Sequence, residues 1–280
     1  MTRLRAASTS LIAALAGLMF ATAGHAQSLG FGRGNSEPIH IEASEGIEWQ
    51  RNNKVYIARG EARASQGGVT VEADELVAYY RSTESGSDEI YRIDANGNVR
   101  IMSDTEVATS DKAVYDVVKG ILIMTGQQVR LVTAQDTIIA RDSLEYYEDR
   151  QLAIARGDAL AIRGDRRVRA NTLRAHFTAN QGPARSSDLE RIEAIGNVHI
   201  STKTDIVTAE RADYRLNEGL ATVTGDVRIT RGETQLNGDR AEVNLNTGQS
   251  RLITKPGERV RGIFLPTAQR EGDNSGKTQQ

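Results

Sequence analysis

A short pattern recurs six times along the chain and constrains its fold more than any other feature. Each copy has a glycine, predicted to lie in a turn, followed by a run in which apolar and polar side chains alternate. Because side chains two residues apart share one face of a strand, each copy predicts a hairpin with one apolar and one polar face. A fixed period is typical of stacked repeats. The glycines are Gly60, Gly97, Gly126, Gly157, Gly196 and Gly225.

A second mark follows each glycine at a nearly constant distance. In five copies a small residue and then an acid or amide come fourteen residues after the glycine, and in the third copy the acid comes sixteen after. One such residue per repeat, always in the same register, indicates a turn or bulge device rather than a calcium site or a catalytic cluster. The residues are Asp74, Asp111, Asp142, Asn171, Glu210 and Asp239.

These copies predict an all-β fold, an elongated β-jellyroll or solenoid of antiparallel strands built from about six repeats. The stretch Ala73 to Arg81 could form a short helix on propensity alone. Its counterparts in other copies alternate, as Ala212, Tyr214 and Leu216 do, so we predict a strand there.

The ends of the chain differ from the repeats. Arg3 and Arg5 precede an apolar run too short to span a bilayer, which is typical of an export signal. We expect residues 1–26 to be a signal peptide cleaved after Ala26, with an uncleaved anchor as the alternative. The chain has no cysteine, so it uses no disulfide and no lipidated N-terminal Cys.

Glycine and proline positions suggest the limits of the folded body. We expect a flexible lead-in at 27–38, a β-jellyroll at 39–265 and a disordered tail at 266–280. A long polar insert between the fourth and fifth copies leaves open two stacked halves, 39–180 and 188–265.

Composition and motifs exclude several functions. The formal net charge of -2 argues against nucleic acid as a partner, because phosphate backbones need a basic face. No phosphate loop or nucleophile elbow is present, and the histidines lack ligand spacing. We therefore expect no catalytic residue, no metal, no cofactor and no enzymatic activity.

Several motifs resemble the OstA-like family. They are the opening Pro38 to Ser44, the run Ala58 to Arg63, and the Ala-x-Gly-Asn-Val pattern at 95–99 and 194–198. The resemblance implies a β-jellyroll that carries lipopolysaccharide through the periplasm for outer-membrane assembly. It also implies head-to-tail joining to further copies, to an inner-membrane LptC-like component at the N-terminal edge and to an outer-membrane LptD-like translocon at the C-terminal edge. The corresponding edge residues are Ile39, Ile41, Ile263 and Leu265.

Alternating aliphatic side chains provide a candidate lipid-binding stripe along the interior. Taken singly, each of these residues fits an ordinary packed core as well. Taken together, they predict a slot with few aromatic rings. The stripe comprises Val71, Ala73, Leu76, Val99, Ile101, Val129, Leu131, Val198, Ile200, Val207, Val227, Ile229, Leu236 and Val243.

A basic cluster at 163–174 has two interpretations. Arginine suits phosphate recognition through its planar fork. Alternation with other residues favours a solvated face, and we predict that face. For the whole chain, the alternatives to a lipopolysaccharide carrier are a filled structural or adhesive solenoid and a membrane-anchored LptC-like scaffold; a repetitive β-helix enzyme would need a carboxylate cluster that the spacing does not provide.

Overall fold

The fold is all-β, as the repeats predict. A computed structural model of the chain describes residues 26–27, 38–83, 88–179, 186–244, 246–255, 257 and 259–263. Within these residues, nineteen strands join in one antiparallel sheet, and the only helix is a 3₁₀ turn, Glu148–Arg150. The strands are β1 (Ala26–Gln27), β2 (His40–Glu42), β3 (Gly46–Gln50), β4 (Val55–Gln66), β5 (Val69–Ser82), β6 (Asp88–Met102), β7 (Glu106–Asp116), β8 (Ile121–Thr125), β9 (Val129–Thr133), β10 (Thr137–Ala140), β11 (Ser143–Tyr147), β12 (Leu152–Arg163), β13 (Arg166–Ala179), β14 (Ser186–Ser201), β15 (Asp205–Arg215), β16 (Leu220–Arg231), β17 (Thr234–Asn244), β18 (Gln249–Ile253) and β19 (Arg261–Ile263).

Each long strand bends once, and the bends divide the sheet into two facing walls. Pairing breaks at the bend and resumes beyond it, as between Arg59 and Ala62 of β4. Wall A contains β3, β8, β11 and β18 with the long-strand segments 55–59, 75–82, 88–96, 112–116, 152–156, 172–179, 186–195, 211–215, 220–224 and 240–244. Wall B contains β2, β9, β10 and β19 with the segments 62–66, 69–73, 99–102, 106–110, 159–163, 166–170, 198–201, 205–209, 227–231 and 234–238.

Five of the six repeated glycines lie at these bends and Gly126 lies between β8 and β9, so they are not in hairpin turns as predicted. At Gly97 and the following Asn98 the φ angles are +75° and +48°, two consecutive left-handed residues that redirect the strand without reversing it. The reversals occur elsewhere, for example at Gly67 and Gly68 between β4 and β5 and at Gly164 between β12 and β13. Alternation alone could not separate a bend from a turn, because both interrupt the period of two.

The repeated acids and amides fit against the glycine of the next copy. A Cβ added to Gly97 would lie 2.1 Å from Oδ2 of Asp74, and Asn98 Nδ2 donates to the same oxygen at 3.0 Å. The acid therefore fills the space that the glycine leaves, and it connects two successive repeats. The same pairing occurs for Asp111 with Gly126, Asp142 with Gly157, Asn171 with Gly196 and Glu210 with Gly225.

Buried side chains between the walls form two clusters. One contains buried residues from Ala58 to Val129 and the other contains buried residues from Ala140 to Val243. Leu144 packs against both. The strands that flank the long polar insert, β13 and β14, pair with each other and contribute to the same cluster, so the core does not divide at 180–188.

The described residues do not include 1–25 of the predicted signal peptide, most of the predicted lead-in, the predicted tail or Leu265. The stretch Ala73 to Arg81 belongs to β5, which confirms the predicted strand.

Replacing Gly97 by alanine should destabilise the fold more than the same change at Gly68. Both residues have positive φ, which costs an L-residue about 1–2 kcal/mol, but only Gly97 has a side chain against it. We expect Gly68→Ala to lower the free energy of unfolding by about that amount and Gly97→Ala by more. Urea unfolding of both variants measures the difference; equal losses would contradict the fit of Asp74 against Gly97.

Candidate functional site

All fourteen residues of the predicted stripe lie between the walls. Thirteen are buried, among them Val129, Ile200 and Ile229 with no exposed surface, and Leu131 is partly buried. Cross-strand pairs such as Val71 with Ile101 put them on one face of each wall. The stripe thus forms an aliphatic interior in two clusters, most of which is filled by its own side chains.

Open space is found where the two clusters meet. A cavity of about 440 Å³ lies there, lined by both walls. Its aliphatic lining includes Leu122, Met124, Leu131, Ile138 and Leu144. Of these, only Leu131 belongs to the predicted stripe, so the sequence pattern did not predict most of this lining.

The cavity coincides with the irregular third copy of the repeat. In this copy the long strands are interrupted, so that β8 and β9 are separate strands, as are β10 and β11. Each has only four or five residues. The spacing of sixteen instead of fourteen residues from Gly126 to Asp142 was the sequence feature that could have indicated it.

The strand ends away from the bends form two lips with different chemistry. Inward side chains near the free end of wall A are mainly aromatic or aliphatic. Those near the free end of wall B are polar or charged. On wall A they include Tyr56, Tyr115, Tyr146, Phe177 and Tyr214; on wall B they include Gln66, Glu106, Asp136, Arg163, Asp205 and Arg231.

Two ion pairs connect neighbouring strands along the lip of wall B. Arg163 Nε donates to Asp136 Oδ1 at 2.7 Å, and the two side chains are 17% and 19% exposed. Arg231 Nε donates to Asp205 Oδ1 at 2.5 Å, with Asp205 almost fully buried. Both pairs are bidentate, which suits partly buried charges because each needs its full set of partners.

Glu106 lines the cavity without such a partner. It begins β7 and faces inward with Ala108, two residues further on. Burial raises the pKa of Glu106 to about 7. No hydrogen bond or ion pair to this carboxyl is formed by the residues that the structure describes.

Both ends of the sheet leave strand edges with exposed apolar side chains. At the N-terminal edge Ile41 is 37% exposed and Ile39 is partly buried, and at the C-terminal edge Ile263 is 63% exposed. Ile47 and Trp49 of β3, both about half exposed, belong to the same N-terminal edge and were not predicted.

The predicted solvated face accounts for two arginines of the basic cluster. Arg167 is exposed and Arg169 forms an ion pair with Asp158, whereas Arg174 is partly buried, lines the cavity and lies 3.9 Å from Glu193. Burial alone would raise the pKa of Glu193, but hydrogen bonds from His176 and Arg211 and nearby guanidiniums hold that pKa below its usual range. The other two arginines of the cluster, Arg163 and Arg166, face the interior: they are directly opposite each other in β12 and β13.

No group of three or more His, Cys, Asp or Glu side chains in the described ranges could hold a metal ion. In this part of the chain, no helix is long and apolar enough to cross a membrane.

Replacing Glu106 by glutamine should stabilise the fold mainly at high pH. The folded state holds this proton to about pH 7, whereas the unfolded chain releases it near pH 4.5, so ionisation opposes folding increasingly over that range. We expect Glu106→Gln to raise the free energy of unfolding by roughly 1–3 kcal/mol at pH 8 and by less at pH 5. Urea unfolding at both pH values measures this. The exposed Glu233→Gln is the control, and an equal gain at both pH values for Glu106→Gln would contradict the assignment.

Comparison with known proteins gives a family and several solved structures. The family described as LptA/(LptD N-terminal domain) LPS transport protein matches residues 40–151 and 206–273, more than half of the chain. A structural match is the crystal structure of LptH from Pseudomonas aeruginosa, described as the LptA homologous periplasmic component of the conserved lipopolysaccharide transport device. The identity is 14% and the TM-score 0.39, over 47% of this chain and 95% of that one. Comparison with curated proteins gave no match.

Proposed function

Since the chain belongs to the LptA/LptD N-terminal family of lipopolysaccharide transport proteins, we propose that it carries lipopolysaccharide across the periplasm. In this proposal, the acyl chains lie between the walls and the sugars stay in water. Membership of a transport family confirms the resemblance inferred from the sequence and the prediction that the chain is not an enzyme.

The observation that carries the proposal is the aliphatic cavity between the two core clusters. Its volume of about 440 Å³ lies within the range of about 300–1,000 Å³ found for small-molecule sites. Aliphatic residues from both walls contribute to its lining, and the packed stripe continues from it in both directions. An acyl chain can therefore enter the cavity. From there it can extend along the interior, either beside the side chains of the stripe or by pushing them aside.

The energetics of a lipid explain why such an interior is needed. Exposure of one methylene to water costs about 0.8 kcal/mol, so a fourteen-carbon acyl chain carries a penalty of about 10 kcal/mol. Free diffusion between two membranes is therefore negligible, because lipopolysaccharide has several such chains. A carrier with alternating strands can cover the chains on its inner face while its outer face remains solvated.

The two sheet ends provide places for partners. An open edge strand presents unpaired backbone groups and accepts another strand. We propose that β2 and β3 receive an inner-membrane LptC-like component, that β18 and β19 meet the outer-membrane LptD-like translocon, and that the two edges also join copies head to tail. Export by the N-terminal signal would put the chain in the periplasm, where these partners meet it.

Photocrosslinking tests the lipid path. A photoreactive residue at Leu131 or Leu144, which line the cavity, should form adducts with lipopolysaccharide, and so should one at Leu76, Ile101, Ile200 or Leu236 in the stripe. Arg100 and Arg228 are exposed on the outer face and serve as controls. Mass spectrometry of the purified, irradiated protein locates the adducts.

Adducts at the inward positions alone would support the proposal. Adducts at neither set, from protein that unfolds cooperatively, would instead indicate a filled structural solenoid. Equal adducts at both sets would show surface adsorption and would also contradict an interior path.

A charge placed on either sheet edge should weaken self-association. Ile47→Lys puts a charge on β3, and Ile263→Lys puts one on β19; either should suppress head-to-tail joining, because both edges take part in each contact. Ile123→Lys is the control: its exposed side chain lies on β8, which is paired on both sides. Sedimentation velocity over a concentration series measures the association. If only the control variant loses association, the two edges do not form the contact between copies.

A further inference from the structure

One arginine next to the cavity-lining Arg163 is not explained by the hairpin in which it lies. Arg166 is directly opposite Arg163 across the two-residue turn between β12 and β13. Directly opposed residues on one face have Cβ atoms about 4.5–5.5 Å apart, and like charges at that distance repel. The hairpin therefore keeps a pair that is unfavourable for folding.

Two equivalent hairpins of the same wall show that the turn does not need this residue. In the hairpin between β16 and β17, Arg231 is opposite Thr234, and between β4 and β5 Gln66 is opposite Val69. Each of these turns contains a glycine with a φ angle between +53° and +57°, namely Gly67, Gly164 or Gly232. Arg231 also pairs with an aspartate of the neighbouring strand, as Arg163 does. The arginine that ends the first strand of a hairpin, Arg163 or Arg231, therefore stabilises the lip through its ion pair. Arg166 begins the second strand, and the equivalent residues of the other two hairpins are uncharged.

The charge of Arg166 is not balanced by an ion pair within the described residues. Arg163 is neutralised by Asp136, and Asp165 in the turn is 3.0 Å from Lys203. Arg166 forms no ion pair with any residue in the part of the chain that the structure describes. It is partly buried and lies on the inward side of β13, two residues before the buried Val168, while its neighbour Arg167 is exposed.

Arg166 lies beside Arg163, which lines the cavity, and the charged residues of the cavity lining do not neutralise it. They are Glu106, Asp136, Glu145, Arg163 and Arg174. Glu145 pairs with Arg156, and Arg174 lies near Glu193. Glu106 has a pKa raised to about 7 by burial, so it is protonated in a large share of molecules at neutral pH and repels an anion less than an ordinary carboxylate would.

We propose that Arg166, beside Arg163, binds a phosphate group of an amphiphile whose acyl chain occupies the central cavity. A guanidinium and an apolar cavity at one lip match the two parts of a phosphorylated lipid, and the planar fork of arginine suits phosphate oxygens. This inference rests on the proposed function and adds to it the position of the headgroup: the lipid rests midway along the chain, with its phosphate on wall B.

The test compares two lipids and two neighbouring arginines. Binding of lipopolysaccharide and of chemically dephosphorylated lipopolysaccharide to the full mature chain is measured for the wild type, Arg166→Gln and Arg167→Gln. We expect Arg166→Gln to weaken binding of the phosphorylated lipid by about tenfold, the size of one charge-assisted hydrogen bond, and to leave the dephosphorylated lipid unaffected. Arg167→Gln should change neither.

Each other outcome contradicts a distinct statement. Equal weakening for both lipids, or none for either, overturns the phosphate contact while the carrier function stands. The same selective loss in Arg167→Gln would indicate a diffuse basic surface and also overturn it. If the wild type binds neither lipid, the proposed function itself fails, and the inference with it.

Discussion

The fit of an acidic or amide side chain against a glycine of the next strand is the contact on which this architecture depends. Each long strand must leave one wall and join the other, and in β4, β6, β12, β14 and β16 it does so through two consecutive left-handed residues, of which the first is glycine. From Gly97 onward, the space above each repeated glycine is filled by Asp74, Asp111 or the equivalent residue of the preceding repeat. Because each contact joins two successive copies, the bends stay aligned and the two walls keep facing each other.

A regular series of bends produces a regular interior, and the interior is open where the series is irregular. In the regular copies, valine, isoleucine and alanine from both walls fill the space between them. In the third copy the strands are short and interrupted, and the central cavity lies there. The lips beside the cavity differ, aromatic on wall A and charged on wall B. For the proposed amphiphile, this asymmetry would set its orientation in a dry site.

The sequence predicted the repeats, the strands and the inward stripe because each follows from a period. Alternation put Val99, Ile200 and Ile229 inside, and comparison among copies correctly made Ala73 to Arg81 a strand. The sequence pattern did not predict that the glycines bend strands, because a bend and a turn both interrupt the period of two. It also treated the arginines at 163–174 as one solvated face, although pairing across a turn directs Arg163 and Arg166 inward.

The sequence by itself determined the fold class, the number of repeats and the sides of the strands, because these depend on neighbours two or about thirty residues apart along the chain. Only the tertiary structure decided which copies leave room between the walls, which charges meet at the lip of wall B, and that Ile47 and Trp49 share an edge with Ile41. These features depend on the register between strands and on how far apart the walls stand, and neither is set by a local pattern.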